Sequence, residues 1–320
     1  MGEMQTRRQL LKAALPIAGA AAACNRSRRK LIGVVPKATS HLFFVSVHAG
    51  VDQAAREFQT DVLWNGPSDE TDYTRQIQIV DAMTARHVDA LAISATDERA
   101  LVAPVERAIK AGIPVTVFDS GINIDNYVSF IATDNHGAGC TAARRLAALI
   151  GRKGNVGMVM QKPGGTSTGL RERGFEETIA AEFPEVRIVA RQFGMSDPAR
   201  SRSAAENILT AHSDLAGMFA SAEASSIGAI QAIRARGLSG KLRVITFDSS
   251  DTHIEAIREG LVDVMLVQNP VRLGYEAVKS LAEHLSGRTP ARRLDLPVRE
   301  IVKADLDNPE VMSLLKPPKA

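Results

Sequence analysis

Aromatic residues and cysteines are scarce in this sequence. Aromatic side chains make up 4% of its 320 residues, and its two cysteines are Cys24 and Cys140. Two cysteines cannot build the disulfide framework of a small secreted fold. The sequence contains no closely spaced cysteine pair and no His-x-x-x-His pair, which are the spacings typical of a zinc site. We therefore expect one large or two medium domains with ordinary hydrophobic cores and no metal or other cofactor.

An excess of charge of one sign is also lacking from the body of the chain. The full sequence has a formal net charge of +3, but three of its basic residues precede position 13. The basic run from Arg26 to Lys30 lies in a predicted tether before the first strand. Because nucleic-acid binding needs a basic face on the folded domain, the sequence predicts no nucleic-acid partner.

No apolar run is long enough to span a membrane permanently, which takes about 20 residues. The run from Ala13 to Ala23 follows Arg7 and Arg8, and this order resembles a twin-arginine export signal. Cys24 stands where a lipoprotein signal places its lipidated cysteine, and ordinary cleavage after Ala-x-Ala is also compatible. The alternative is a soluble amphipathic helix. We predict a signal and tether over residues 1–29, a periplasmic or cell-envelope location, and membrane attachment only through a lipid on Cys24.

If Cys24 carries a lipid, Cys140 has no disulfide partner. Cys140 lies among small residues that open a predicted helix, and we expect it to be a thiol packed in the core.

From Lys30 onward, predicted strands and helices alternate. Continuous apolar runs are typical of strands covered on both faces, and apolar residues at helical spacing follow them. The predicted strands are 31–35, 62–64, 88–93, 115–118, 128–132, 156–160, 186–190, 217–220, 242–247, 264–267 and 298–303, and the predicted helices are 44–58, 73–86, 98–111, 135–150, 171–182, 199–211, 225–236 and 273–285. Repeated units of this kind predict two doubly wound α/β lobes. The last segments could belong to either lobe.

Distinctive side chains follow several predicted strands. In the first half they are His41, Phe43, Phe44, Asp119 and Ser120, and in the second half they are Arg171, Asp248 and Gln268. Ligands of open parallel sheets bind at the carboxyl ends of the strands. Two such sheets facing each other would therefore line one shared cleft.

These segments resemble the ribose-binding, or type I periplasmic binding protein, family. The resemblance runs from Lys30 to Lys303, and its motifs are Phe43-Phe44-Val45-Ser46, Thr133-Asp134-Asn135, Gly165-Thr166-Ser167 with Arg171-Glu172-Arg173-Gly174, and Phe247-Asp248. It implies two doubly wound parallel-sheet lobes joined by a three-segment hinge, with crossings near residues 133–134, 268–269 and 297–298. The first lobe would comprise residues 30–133 and 269–297, and the second residues 134–268 and 298–320.

The resemblance also implies roles for individual residues. Phe43 and Phe44 would stack on the apolar faces of a sugar ring. Asp119 and Asp248 would accept hydrogen bonds from its hydroxyl groups, Arg171 would donate two, and Gln268 would do both. Simpler structural roles stay open: either phenylalanine, Phe44 above all, could be a core residue, and either aspartate could cap a helix.

The sequence departs from the ribose-binding pattern at four positions. Ser120 replaces an arginine, Ala222 an asparagine, His41 an asparagine and Ser196 an aromatic residue, so ribose itself becomes doubtful as the ligand. Lys37 follows the first strand in Val35-Pro36-Lys37, which also resembles autoinducer-binding and rhamnose-type relatives. We predict that Lys37 and His41 together replace the donor missing near Ser120.

Other classes of function have less support. Gly137-Ala138-Gly139-Cys140-Thr141-Ala142 matches a dinucleotide fingerprint, but no acidic residue ends the next predicted strand. A transcription regulator of this fold would carry a DNA-binding region where this chain has a predicted export signal. We predict a monomeric solute-binding protein, not an enzyme, that closes around a small sugar or polyol and delivers it to an ABC transporter permease. The alternative is a ligand sensor, of autoinducer or chemosensory type, that signals through a membrane receptor.

Overall fold

The computed structural model describes residues 28–316; the predicted export signal and Cys24 lie outside them. The strands are β1 (Leu31–Val35), β2 (Asp61–Trp64), β3 (Ala90–Ile93), β4 (Val115–Phe118), β5 (Ser129–Thr133), β6 (Gly154–Met160), β7 (Val186–Phe193), β8 (Leu215–Ala220), β9 (Arg243–Phe247), β10 (Val264–Val267), β11 (Arg293–Leu296) and β12 (Arg299–Ile301). The helices are α1 (Leu42–Glu57), α2 (Tyr73–Ala85), α3 (Val102–Lys110), α4 (Asn135–Leu149), α5 (Thr166–Glu182), α6 (Pro198–Ala211), α7 (Glu223–Ala235), α8 (Asp251–Arg258), α9 (Pro270–Leu285) and α10 (Pro309–Leu315), with a 3-10 turn at Lys303–Asp307.

These strands form two six-stranded sheets. The first has the order β11-β5-β4-β3-β1-β2 and the second the order β12-β10-β9-β8-β6-β7. Helices cover both faces of each sheet, and the buried strands consist almost wholly of apolar residues, as parallel strands require. The predicted fold of two doubly wound α/β lobes is confirmed.

The chain passes between the lobes three times. It leaves the first sheet after β5, returns to it after β10, and crosses once more between β11 and β12. All other strands of the second sheet run parallel to one another, but β12 is antiparallel to β10. The reason is topological: parallel strands end at the cleft, whereas β12 enters its lobe from the cleft side and must run away from it.

Both lobes contain helices in very close contact. In the first lobe, a Cβ on Gly50 of α1 would overlap the carbonyl oxygen of Val271 in α9. In the second lobe, a Cβ on Gly139 of α4 would overlap the carbonyl oxygen of Arg171 in α5. Glycine at these positions lets the helix backbones touch, and in the second lobe this contact sets the position of α5.

Several elements differ from the sequence prediction. Strand β11 and helices α8 and α10 were not predicted, since β11 alternates charged and apolar residues at a sheet edge and both helices are short. Cys140, predicted to be a core thiol, is only partly buried, and its Sγ lies 3.7 Å from Nδ1 of His136. Trp64 ends β2 and stacks on His48, with ring centroids 4.3 Å apart.

Candidate functional site

The carboxyl ends of the two sheets face each other across a cleft. The cavity in this cleft is lined by Lys37, His41, Phe43, Phe44, Glu70, Asp119, Gln161, Ser167, Thr168, Arg171, Ala222, Glu223, Asp248 and Gln268. Its volume is about 20 Å³, which is room for about one water molecule. The lobes are thus closed onto one another in this structure.

Nine of the ten residues predicted from the sequence line this cavity; these are Lys37, His41, Phe43, Phe44, Asp119, Arg171, Ala222, Asp248 and Gln268. The tenth, Ser120, lies behind the lining, where its Oγ accepts a hydrogen bond of 3.4 Å from the backbone N–H of Ser167. The structure therefore brings the predicted residues of both lobes together. Their contact with a ligand stays a prediction.

A cluster of charged side chains occupies the first-lobe side of the cavity. Nζ of Lys37 lies 3.2 Å from Oδ2 of Asp119 and 3.8 Å from Oε1 of Glu70. Nδ1 of His41 lies 3.5 Å from the same Oε1 of Glu70. Burial lowers the pKa of Lys37, but attraction to Asp119 and Glu70 outweighs it, so the pKa lies above its ordinary value.

Glu70 is held ionised by the same cluster. Burial alone would raise the pKa of this carboxyl, but Lys37 and His41 bring it far below its ordinary value. Burial likewise opposes protonation of His41, whereas the hydrogen bond to Glu70 raises the pKa of the imidazole overall. Lys37 and His41 are thus ordered by a carboxylate that was not predicted from the sequence. Glu70 lies in the loop before α2, without a pattern that marks it.

The two strand-end aspartates occupy equivalent positions in the two lobes. Asp119 follows β4 and Asp248 follows β9, each directly after a phenylalanine, and their φ angles are 56° and 69°. Aspartate tolerates this left-handed backbone better than most residues. Asp119 caps no helix, since no helix of residues 28–316 starts there. Asp248 does not cap α8, whose cap is Ser250, but its Oδ2 accepts a hydrogen bond of 3.0 Å from the backbone N–H of Glu223 at the start of α7. The helix-cap alternative is therefore wrong for Asp119, whereas Asp248 satisfies a free N–H group at the start of α7 as well as lining the cavity.

Arg171 projects from α5 with its guanidinium fixed by neutral groups. Its Nε donates to Oδ1 of Asn135 at 2.8 Å, and its Nη1 donates to the carbonyl oxygen of Ser221 at 3.1 Å. The guanidinium carbon stacks 3.7 Å from the ring centroid of Phe247. Burial lowers the pKa of Arg171, but a guanidinium stays charged in proteins. A rigid, buried cation is thus presented at the cavity.

Gln268 links the cavity to two of the three interlobe crossings. Its Oε1 accepts a hydrogen bond of 2.5 Å from Thr133 Oγ1, and its Nε2 donates to Oδ1 of Asp248 at 2.7 Å. Thr133 ends β5, directly before one crossing, and Gln268 begins another. Burial raises the pKa of Asp248, and Arg171 and Gln268 oppose this effect. A change at Asp248 can therefore reach the hinge through one side chain.

The two phenylalanines at the start of α1 differ in their surroundings. Phe44 is 1% exposed and packs within the first-lobe core. Phe43 is partly buried, and its ring meets that of Phe44 edge-on at 5.1 Å between centroids. Phe43 is therefore the better placed of the two to offer a ring face, and Phe44 is mainly a core residue that also borders the cavity.

Glu223 connects the lobes directly. It is the first residue of α7 in the second lobe, yet its two carboxylate oxygens accept hydrogen bonds from the backbone N–H groups of Leu42 at 3.3 Å and Phe43 at 2.9 Å. Burial raises the pKa of Glu223, and the bond from Phe43 and the charge of His41 oppose it. Ala222 was predicted at the site from the sequence, but its neighbour Glu223 was not, since the contact of Glu223 exists only across the cleft.

Within residues 28–316, no helix is both long and apolar enough to cross a membrane. In the same part of the chain, no cluster of three or more histidine, cysteine, aspartate or glutamate side chains could hold a metal ion.

A family described as "Periplasmic binding protein domain" matches residues 32–289. Among curated proteins, the chain is similar to the D-ribose/D-allose-binding protein of Pseudomonas aeruginosa, with 28% identity over 278 residues that cover 82% of this chain and 85% of the relative.

Solved structures of similar proteins include an ABC transporter solute-binding protein from Agrobacterium vitis bound to α-D-tagatopyranose. It is 30% identical, with a TM-score of 0.87, and the match covers 91% of this chain and 100% of that protein. A carbohydrate transporter solute-binding protein from Agrobacterium radiobacter in complex with D-arabinose is 29% identical, with the same TM-score and coverage.

Proposed function

The chain belongs to the periplasmic binding protein domain family and, within it, to the type I, ribose-binding group. We propose that it captures a small sugar or sugar-like polyol for delivery to an ABC transporter. One observation carries this proposal: a single cavity collects an aromatic face, two strand-end carboxylates and a fixed guanidinium, and both lobes contribute to it.

The side chains of the cavity suit the two kinds of surface that a sugar has. The ring of Phe43 can pack on C–H groups. Asp119 and Asp248 can accept hydrogen bonds from hydroxyl groups, and Arg171 can donate in its fixed planar geometry. Ala222 leaves space where a longer side chain would reach into the cavity. Such a mixture of apolar faces and directed polar groups is typical of small-molecule sites.

The names of the relatives agree with this class of ligand. One relative is a D-ribose/D-allose-binding protein, and two others have structures with bound α-D-tagatopyranose and D-arabinose. We propose a ligand of the same class for this chain, without choosing among these sugars, because Ser120, Ala222 and Ser196 differ from the ribose-binding pattern.

Binding works by opening and closing of the lobes. A cavity of about 20 Å³ does not admit a monosaccharide, so the lobes must separate for the ligand to enter. Contacts from Asp119 and Phe43 on one lobe, and from Arg171 and Asp248 on the other, then favour the closed state. Only a ligand that touches both lobes can shift this equilibrium.

The cellular part of the proposal concerns export and docking. The protein would act in the periplasm or cell envelope as a monomer, with its two lobes divided at the three crossings and the closed form presented to a permease. Binding alone, without catalysis, is the activity proposed. Mass spectrometry of the protein from membranes would show whether Cys24 carries an acyl group.

A thermal-shift screen of residues 28–320 against pentoses, hexoses, deoxysugars, polyols and autoinducer-type furanoses tests the ligand class. A ligand at a thousandfold excess over Kd should stabilise the folded state by about 4 kcal/mol. Titration calorimetry of each hit then gives Kd. A folded protein that responds to no carbohydrate or polyol would contradict the proposal.

A further inference from the structure

A buried amide on the second-lobe side of the cavity has an oxygen atom without a hydrogen-bond donor. Gln161 directly follows β6, is 2% exposed and lines the cavity. Its Oε1 is shielded from solvent and accepts no hydrogen bond from residues 28–316. A buried amide oxygen that lacks a donor costs free energy. A donor supplied by a bound ligand would remove this cost.

The surroundings of Gln161 hold its amide in one orientation. Nε2 donates to Oγ of Ser196 at 2.6 Å. The backbone N–H of Gln161 donates to Oε1 of Glu172 at 3.0 Å, and its carbonyl oxygen accepts from the backbone N–H of Ser196 at 3.0 Å. With Nε2 paired to Ser196 in this way, Oε1 is the atom of the amide that is left without a partner. An acceptor fixed in this way selects for a donor at one position.

Glu172 extends this support to the rest of the second-lobe wall. Oε1 of Glu172, which accepts the hydrogen bond from the backbone N–H of Gln161, also accepts a hydrogen bond of 2.7 Å from Oγ of Ser221. The carbonyl oxygen of Ser221 in turn accepts from Arg171. Gln161 and Arg171 are thus held by one connected set of hydrogen bonds, and their polar atoms keep a fixed spacing along the cavity.

We propose that Gln161 is a specificity-determining residue that accepts a hydrogen bond from one hydroxyl group of the ligand. The inference rests on the proposed function and narrows its ligand to a sugar or polyol that carries a hydroxyl group at the second-lobe end of the cavity. An analogue without this hydroxyl would leave Oε1 unpaired and would be rejected, because a site built around a hydroxyl discriminates strongly against its absence.

The test combines one variant with a series of analogues. The carbohydrate that binds the wild type most tightly is compared by calorimetry with its monodeoxy analogues, one for each carbon. We expect one analogue to bind at least tenfold more weakly than the parent compound. In Gln161→Met, which keeps the length of the side chain but removes the amide, this difference should fall below threefold. Gln161→Glu keeps an acceptor and should retain the discrimination.

Gln53→Met, at an exposed position of α1, is the matched control and should behave as the wild type. If Gln161→Met does not fold, Ser196→Ala replaces it, since it frees the amide to turn and should reduce the same discrimination severalfold. If each monodeoxy analogue loses as much affinity in Gln161→Met as in the wild type, this inference is overturned and the proposed function is left intact. Failure of every carbohydrate to bind the wild type would overturn both.

Discussion

The carboxylate of Glu223 in the second lobe caps the start of α1 in the first lobe, where it lies 2.9 Å from the backbone nitrogen of Phe43. The residue at the N-cap position of α1, His41, makes no side-chain capping bond within the described chain. Free N–H groups at a helix start favour an acceptor and a negative charge. Closure of the cleft and capping of α1 are therefore the same contact.

Removal of this cap should shift the unliganded protein toward the open state. An N-cap bond contributes about 1 kcal/mol, so Glu223→Ala should lower the closed-to-open ratio about fivefold. Small-angle scattering without ligand should give a larger radius of gyration for the variant. Spin labels on opposite sides of the cleft should report a longer mean distance.

Glu255→Ala is the control for this experiment, because Glu255 is an exposed glutamate on α8 of the same lobe. It should leave the scattering curve and the label distances unchanged. Identical interlobe distances in Glu223→Ala and the wild type would show that the contact does not influence closure.

Lys37 is expected to matter for binding. Lys37→Ala removes the ammonium group that faces Asp119 and Glu70, and we expect Kd for the carbohydrate to rise at least tenfold in calorimetry. The variant should also be less stable by roughly 3–5 kcal/mol, since breaking a buried ion pair leaves charge uncompensated. Lys30→Ala, which removes an exposed lysine paired with Asp89, should change neither quantity strongly.

A double variant separates the two effects of Lys37. In Lys37→Ala/Glu70→Gln, one uncompensated carboxylate is gone, and part of the lost stability should return while binding stays weak. Unchanged affinity in Lys37→Ala would contradict a role for Lys37 at the ligand. Recovery of affinity in the double variant would mean that the lysine only neutralises Glu70.

Glu172 should make stability depend on pH. Burial raises the pKa of this carboxyl from 4.5 to about 7, so between these values the folded state binds a proton that the unfolded state has lost. The contribution of Glu172 to the free energy of unfolding is therefore fully present below pH 4.5 and is lost as the pH rises through about 7. The total loss is on the order of 3 kcal/mol.

Glu172→Gln removes this titration. The denaturant midpoint of the variant minus that of the wild type should increase between pH 4.5 and 7.5, because only the wild type loses stability through Glu172 over this range. Glu106→Gln, at an exposed position of α3, should follow the wild type throughout. A constant difference between Glu172→Gln and the wild type across this range would show that Glu172 is ionised in the folded protein at all these pH values.

The glycine contact between α4 and α5 should be sensitive to a single methyl group. In Gly139→Ala the new Cβ would meet the backbone of Arg171, and overpacking of this kind costs about 1–3 kcal/mol. Because the displaced turn carries Arg171, affinity should fall along with the melting temperature. Gly169→Ala adds the same methyl group on α5, where the new Cβ would have no atom within 4 Å apart from the neighbouring backbone of its own helix, and it should be neutral or stabilising.

Sequence periodicity was sufficient for two α/β lobes, but it did not show β11, α8 or α10 and did not assign the last segments to a lobe. Each buried strand appears in the chain as a continuous apolar run, and the helix after it has apolar residues at helical spacing, so local patterns specify the βα units and hence two parallel sheets. Asp119 and Asp248 could be found because each directly follows a strand, and the end of a strand determines where its next side chain lies.

The tertiary structure alone decided the contacts that cross the cleft. Glu223 lies at a helix start and Glu70 in a loop, and nothing in their sequence neighbourhood distinguishes them from solvated residues. Gln161 directly follows β6, as Asp119 and Asp248 follow their strands, but its unpaired oxygen is evident only in the structure. Glu223 meets Phe43 from 180 positions away, and the geometry of two closed lobes creates this contact. The direction of β12 follows from the same cause, because it depends on the side from which the chain re-enters the second lobe. Local patterns encode strands and helices, whereas a contact across the cleft such as that of Glu223 with Phe43 depends on how the two sheets meet.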